Sequence, residues 1–268
     1  MSVYVITGKL GSGKTLVCVG RIYEYLQRGR RVATNLDLDM RALADREDSG
    51  AYVERLPDYP SSADLVALGS GNESADEADN GLLVLDECGT WLNSRGWSGD
   101  HDRQAMLDWM LHSRKLGWDV LLIVQDLQII DKQVRLALCE HLVICRRMDR
   151  LPIPGISHFF RLFGFDLRLP RVHLAVVRYG QERESPIVDR WLYRGRRFYA
   201  AYDTKQIFNP RYDSGTYCVL PKRYYSRVSA GSARVDYGAL LVRLPVILLG
   251  LLLERLGVMK RTDWVGAV

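Results

Sequence analysis

Residues 8 to 15 read Gly8-Lys9-Leu10-Gly11-Ser12-Gly13-Lys14-Thr15, the G-x-x-x-x-G-K-[ST] spacing of a loop that wraps phosphates. Gly8, Gly11 and Gly13 let the backbone turn tightly, so that several N–H groups, that of Ser12 included, converge on one anion. Lys14 can bridge the outer phosphates, and Thr15 offers a hydroxyl to Mg²⁺. The ligand implied is a nucleoside triphosphate, ATP in the first place. Lys9 has two readings, a second phosphate lysine or a solvated charge. Further along, Asp86 and Glu87 close an apolar run at 82–85. Asp86 is placed to hold Mg²⁺, directly or through water, and Glu87 to orient or deprotonate the attacking water; the alternative is a plain helix cap. Gln125 ends a neighbouring run, where it would bond the water or the γ-phosphate. Arg114 and Arg135 could neutralise transition-state charge in a neighbouring subunit, Arg135 being preferred, or form surface ion pairs. Phosphoryl transfer needs mainly positioning and charge neutralisation, so this set predicts hydrolysis rather than binding alone.

These groups need a scaffold. An apolar strand at 3–6 feeds the loop, and residues 16–27 have helical composition without proline, adding a helix dipole to the anion site. After Gly29 a second strand, 32–35, completes a strand–helix–strand unit. The stretch 37–80, with Pro57, Pro60 and a polar run at 70–77, reads as a long mobile loop. A buried strand at 82–85, a helix at 102–116, a strand at 120–125, a helix at 131–139 and a strand at 142–145 continue the alternation. Five strands between helices predict an α/β P-loop NTPase with a mainly parallel five-stranded sheet sandwiched by helices. Beyond breaks at Pro152, Pro154 and Gly155, residues 172–179 and 187–193 predict a β-hairpin added to that core. Trp191, Tyr193, Phe198, Tyr199 and Tyr202 lie beside Arg194, Arg196 and Arg197. They either stack on single-stranded nucleic acid or pack a hairpin with snorkelling arginines.

The 268 residues, 47% of them hydrophobic, suffice for one α/β domain and an appendage. The net charge of +5 is modest; residues 58–79 are acidic, the basic residues concentrate after Arg146, and no basic patch establishes nucleic-acid binding. Cys18, Cys88, Cys139, Cys145 and Cys218 have no C-x-x-C spacing and mostly sit in apolar runs, which reads as buried thiols in a reducing compartment. The N-terminus enters a core strand without the pattern of a secretory signal. Residues 205–234 read as a basic linker, 235–260 as an apolar C-terminal helix and 261–268 as a short tail. The apolar stretch 238–253 covers about 24 Å as a helix, against a hydrocarbon core of roughly 30 Å. It spans a membrane only if Arg243 snorkels and Glu254 and Arg255 face a partner; otherwise it is a buried or interfacial helix. Asp236, Arg243, Gly250 and Gly257 share one stripe suited to self-association.

The ordered set of the N-terminal phosphate loop, residues 82–87, the run 112–119 leading into 120–125, Ile130-Asp131 with Arg135, and the hairpin ending Tyr202-Asp203-Thr204 resembles the Zot domain over residues 1–204. That family comprises zonular occludens toxin proteins and gene I assembly proteins of filamentous bacteriophages. The resemblance implies an ATPase of the bacterial inner membrane with its N-terminal domain in the cytoplasm. It also implies action in the extrusion of a virion containing single-stranded DNA. The partners expected are its own copies, from the stripe and the candidate trans-acting arginines, with phage DNA nucleoprotein, coat protein or an outer-membrane channel as the alternatives on which ATP energy would act. A soluble nucleotide kinase and a host-directed toxin module are the competing readings. The kinase lacks a basic lid, since 58–79 is acidic, and the residues after Leu253 are few for a toxin tail.

Overall fold

The first apolar run is β1 (Val3–Thr7), which passes through the loop into α1 (Lys14–Gln27). Next come β2 (Val32–Thr34), the single turn α2 (Met40–Leu43), β3 (Val53–Arg55) and α3 (Ser62–Ala67). β4 (Gly81–Leu85), α4 (Cys88–Trp91), α5 (His101–His112), β5 (Trp118–Ile123), α6 (Lys132–Leu138) and β6 (His141–Arg147) follow. β7 (Val172–Tyr179), β8 (Ile187–Arg194), α7 (Gly195–Phe198) and β9 (Tyr217–Val219) complete the described chain. In this computed structural model the described residues are 3–74, 76–91, 101–130, 132–148, 172–209 and 215–225. The chain divides into units Met1–Ser226 and Arg227–Val268. The second unit, with the expected apolar helix, Arg243, Glu254 and Arg255, lies outside the described residues. Among the described residues no helix is long and apolar enough to cross a membrane.

The strands form one sheet of nine, in the order β8-β7-β6-β1-β5-β4-β2-β3-β9. Pairings from β3 across to β6 are all parallel, while β7, β8 and β9 join antiparallel. The parallel part therefore has one strand more than the five expected. The addition, β3, falls inside 37–80, which is not the irregular loop that its composition suggests. Its central and last residues are Glu54 and Arg55, so hydropathy hides it; Arg55 is buried because Asp58 (2.6 Å) and Asp37 (2.9 Å) neutralise it. α3, in the same stretch, opens on a capping box between Ser61 and Asp64, a signal present in the sequence. β9 and the turn at Lys222–Tyr224 occupy part of the expected linker, and Lys222 Nζ donates to the Ala44 carbonyl at 2.7 Å.

Strand residues alternate between two cores, as the period of a pleated strand requires. Ile6, Leu82, Val84, Leu121 and Ile123 face α1 on one side. Val3, Val5, Leu83, Leu85, Val120 and Leu122 face α5 and α6 on the other. The hairpin of β7 and β8 forms as expected and extends the sheet beyond β6. Trp191, Tyr193 and Phe198 are buried against α1, which selects packing over base stacking for these three. Gly20 makes that contact possible, because a Cβ there would lie 2.6 Å from the Tyr193 ring. Arg197 lies over the Tyr23 ring and pairs with Asp45 at 2.7 Å. Four of the five cysteines are buried and Cys218 is exposed, all as free thiols.

Candidate functional site

β1 is flanked by β5 on one side and β6 on the other, so the chain leaves its C-terminal end at a switch point of the sheet, where open α/β sheets bind ligands. The phosphate loop sits there. Gly11 and Gly13 have φ of +68° and +89°, values that L side chains seldom adopt. Gly13 is constrained twice over, since a Cβ would meet the His173 ring at 2.0 Å. The Ser12 N–H donates to the Lys9 carbonyl at 3.0 Å and closes the turn. Lys14 folds back so that Nζ donates to the Gly8 carbonyl at 2.9 Å.

Thr15 Oγ1 donates to Asp86 Oδ2 at 2.8 Å, which joins the start of α1 to the end of β4. Asp86 Oδ1 accepts the Glu87 N–H at 2.7 Å. Glu87 has φ +53°, the one positive value at a non-glycine among the described residues. Backbone strain of this kind persists where the surroundings over-determine it. A hydroxyl and a carboxylate at this separation are hard oxygen donors suited to Mg²⁺, which binds through one or two protein oxygens plus substrate phosphates. Among the described residues no group of three His, Cys, Asp or Glu forms a metal cage; phosphates and water would supply the rest of an octahedral Mg²⁺ shell. A cleft of about 360 Å³ brings together Gly11, Gly13, Lys14, Thr15, Asp86, Glu87 and Gln125.

Burial raises the Asp86 pKa, against the hydrogen bonds from Glu87 and Thr15 and the charge of Lys14, which lower it. Burial, then the charges of Asp86 and Asp58, raise that of Glu87 above its ordinary 4.5. The folded apo chain thus holds both protons more tightly than the unfolded chain. The stability this contributes is present below the ordinary carboxylate range and lost as pH rises through the raised values. Glu87→Gln cannot ionise, so its thermal midpoint relative to wild type is expected to rise as pH goes from about 4 to about 7.5. Melting both proteins without nucleotide across that range checks it; a difference independent of pH would mean that Glu87 carries no unfavourable charge in the fold.

The remaining expected site residues fall elsewhere. Lys9 is exposed and, like Gly8 and Ser12, does not line the cleft; the Ser12 hydroxyl is buried. Arg114 precedes β5, at the opposite edge of the sheet, and pairs with Glu77 at 2.9 Å. Arg135 is half-buried on α6, on the face away from α1. Within one chain neither arginine reaches the cleft. Sequence reading missed three features. His173, on β7, puts Nδ1 3.3 Å from the Ser12 carbonyl and Nε2 3.5 Å from the Tyr199 hydroxyl; a polar residue at an inward position of the strand was its only signal. Asn35 is buried at the end of β2. Tyr202, Asp203, Thr204, Gln206 and Phe208 form the second wall of the cleft.

Fold and loop together define a nucleotide-binding domain of the P-loop NTPase type. The sequence model of the family described as zonular occludens toxin (Zot) matches residues 2–178, and the chain belongs to that family. The Gene 1 protein of Enterobacteria phage M13 is 52% identical over 239 residues, covering 86% of this chain and 68% of the relative. That of Salmonella phage IKe is 52% identical over 228 residues, covering 84% and 62%. Among solved structures, the N-terminal domain of zonular occludens toxin from Neisseria meningitidis aligns over 75% of this chain and 98% of its own, at 15% identity and a TM-score of 0.40.

Proposed function

We propose that the chain is a Mg²⁺-dependent ATPase of the bacterial inner membrane that works as a homo-oligomeric motor in the assembly and extrusion of filamentous phage. The observation that carries the catalytic part is the cleft in which Lys14, Thr15, Asp86, Glu87 and Gln125 meet around a complete phosphate loop. Loop N–H groups and Lys14 bind and orient the phosphates. Thr15 and Asp86 would hold Mg²⁺, which would neutralise phosphate charge. Glu87 takes the proton of the attacking water, and Gln125 aligns that water or reports the γ-phosphate to β5. The Gene 1 relatives from phages support the assembly role. Basic residues before the apolar segment favour a cytoplasmic ATPase domain by the positive-inside rule. DNA nucleoprotein, coat protein and an outer-membrane channel are the proposed partners.

The test is to fractionate cells expressing the chain, extract the membranes with carbonate, and measure ATPase activity and oligomeric state in each fraction. Activity in a carbonate-resistant oligomer is expected, and complete extraction would reject a membrane span. Because neither arginine reaches its own cleft, Arg135→Ala and Lys14→Ala proteins should each be nearly inactive and recover part of the activity when mixed. One mixed interface then joins an intact loop to an intact arginine, a contribution of about 10³ or more in turnover for an arginine finger. No recovery in demonstrably mixed oligomers would remove Arg135 from the site.

A further inference from the structure

The backbone of Asp86 continues past the point where β4 pairs with β2, whose register ends at Thr34 opposite Val84. A side chain takes over there. Asn35 is fully buried, at 0% exposure. Its Oδ1 accepts the Asp86 N–H at 2.8 Å, and its Nδ2 donates to the Asp86 carbonyl at 3.1 Å. The amide thus pairs with both backbone groups of one residue, as a neighbouring strand would. Nδ2 also donates to the Asp58 carbonyl at 3.0 Å. Gln206 repeats the arrangement from the second wall of the cleft: Nε2 donates to the Asn35 carbonyl at 3.0 Å and Oε1 accepts the Asp37 N–H at 2.9 Å. Two amides in series therefore join that wall to Asp86, whose carboxylate meets Thr15.

We infer that Asn35 is a positioning residue for the Asp86–Glu87 pair and that Gln206 supports Asn35 in turn; this rests on the reading of the cleft as a Mg²⁺–ATP site. Asp86 uses one carboxylate oxygen on Thr15 and the other on the Glu87 N–H, so the direction of both acidic side chains follows from how the Asp86 backbone is held. Glu87 keeps its strained φ only while that backbone is fixed. None of these side-chain hydrogen bonds of Asn35 and Gln206 goes to the phosphate loop. Loss of either amide should therefore separate two quantities: metal-free nucleotide affinity is spared, while the gain in affinity on adding Mg²⁺ and the turnover both fall.

The experiment measures the affinity of the full chain for a non-hydrolysable ATP analogue in EDTA and in Mg²⁺, together with kcat, for wild type, Asn35→Ala, Gln206→Ala and Gln206→Leu. Asn35→Ala is expected to keep the EDTA affinity and to lose about 10- to 100-fold in kcat and in the Mg²⁺ gain, the range for partners that orient metal ligands. Gln206→Ala should move the same readings in the same direction, by less. Gln206→Leu, which keeps the bulk of the side chain and loses both hydrogen bonds without adding charge, should match Gln206→Ala. If Asn35→Ala does not fold, the half-exposed Gln206 variants decide by the same readings. A wild-type Mg²⁺ gain and kcat in the variants would overturn the inference alone, as would an equal loss in EDTA and Mg²⁺. A wild-type chain with no Mg²⁺-dependent binding would overturn the functional reading and the inference with it.

Discussion

Lys14→Ala is expected to lower triphosphate affinity by about 100-fold or more and to leave the domain folded. A charge-assisted hydrogen bond contributes about 1.5–3 kcal/mol, and a lysine bridging two phosphates makes two of them, each 1.4 kcal/mol being about tenfold in affinity. The cost to the fold is small. The Nζ bond goes to the Gly8 carbonyl of the same loop, and alanine is a favourable residue in the first turn of a helix. Equilibrium binding of an ATP analogue, beside the thermal midpoint of each protein, makes the comparison. Wild-type affinity in a folded Lys14→Ala protein would take the phosphate loop out of the binding site.

What the sequence made legible is what local pattern determines. The phosphate loop has fixed spacing, and its strand and helix have continuous apolar or helical composition, so β1, α1 and the central strands could be placed within a residue or two. That Asp86, Glu87 and Gln125 lie beside the loop could be expected because strand ends of a parallel sheet gather at one edge. The parts that were hidden depend on pairs of residues far apart in the chain. β3 ends on Arg55, whose burial depends on Asp37 and Asp58, and no hydropathy window sees that neutralisation. Asn35 looks like the ordinary last residue of a short strand until Asp86, 51 positions on, lies against it. His173 is 161 positions from Ser12. The second wall of the cleft is assembled from chain just beyond the hairpin, where the Ala201 carbonyl accepts the Asp39 N–H at 2.8 Å and Tyr202 bridges to Leu38; Tyr202-Asp203-Thr204 belongs to the family pattern, but nothing in its residue types points to the nucleotide cleft.

Glu87→Gln is expected to bind ATP at least as tightly as wild type while kcat falls by about 10² to 10⁴, the range for removing a general base. The substitution preserves the length and shape of the side chain, and glutamine has the same backbone cost as glutamate at φ +53°, so the turn after β4 should survive it. It also removes a negative charge from a cleft that must accept a triphosphate, and with it the repulsion between Glu87 and its neighbours Asp86 and Asp58. Asp86→Asn should differ in kind, since only one oxygen then remains to serve both the Thr15 hydroxyl and the Glu87 N–H; its loss should appear mainly as a higher Mg²⁺ requirement. The raised pKa of Glu87 adds a second reading. A base must be ionised to act, and kcat/KM reports the free enzyme, so the acid limb of the wild-type kcat/KM profile should begin above the ordinary 4.5, and Glu87→Gln should lack that limb. Single-turnover hydrolysis against pH, with nucleotide affinity measured on the same preparations, separates the cases: a Glu87→Gln protein that turns over as fast as wild type, or keeps the same acid limb, would assign the base to another group.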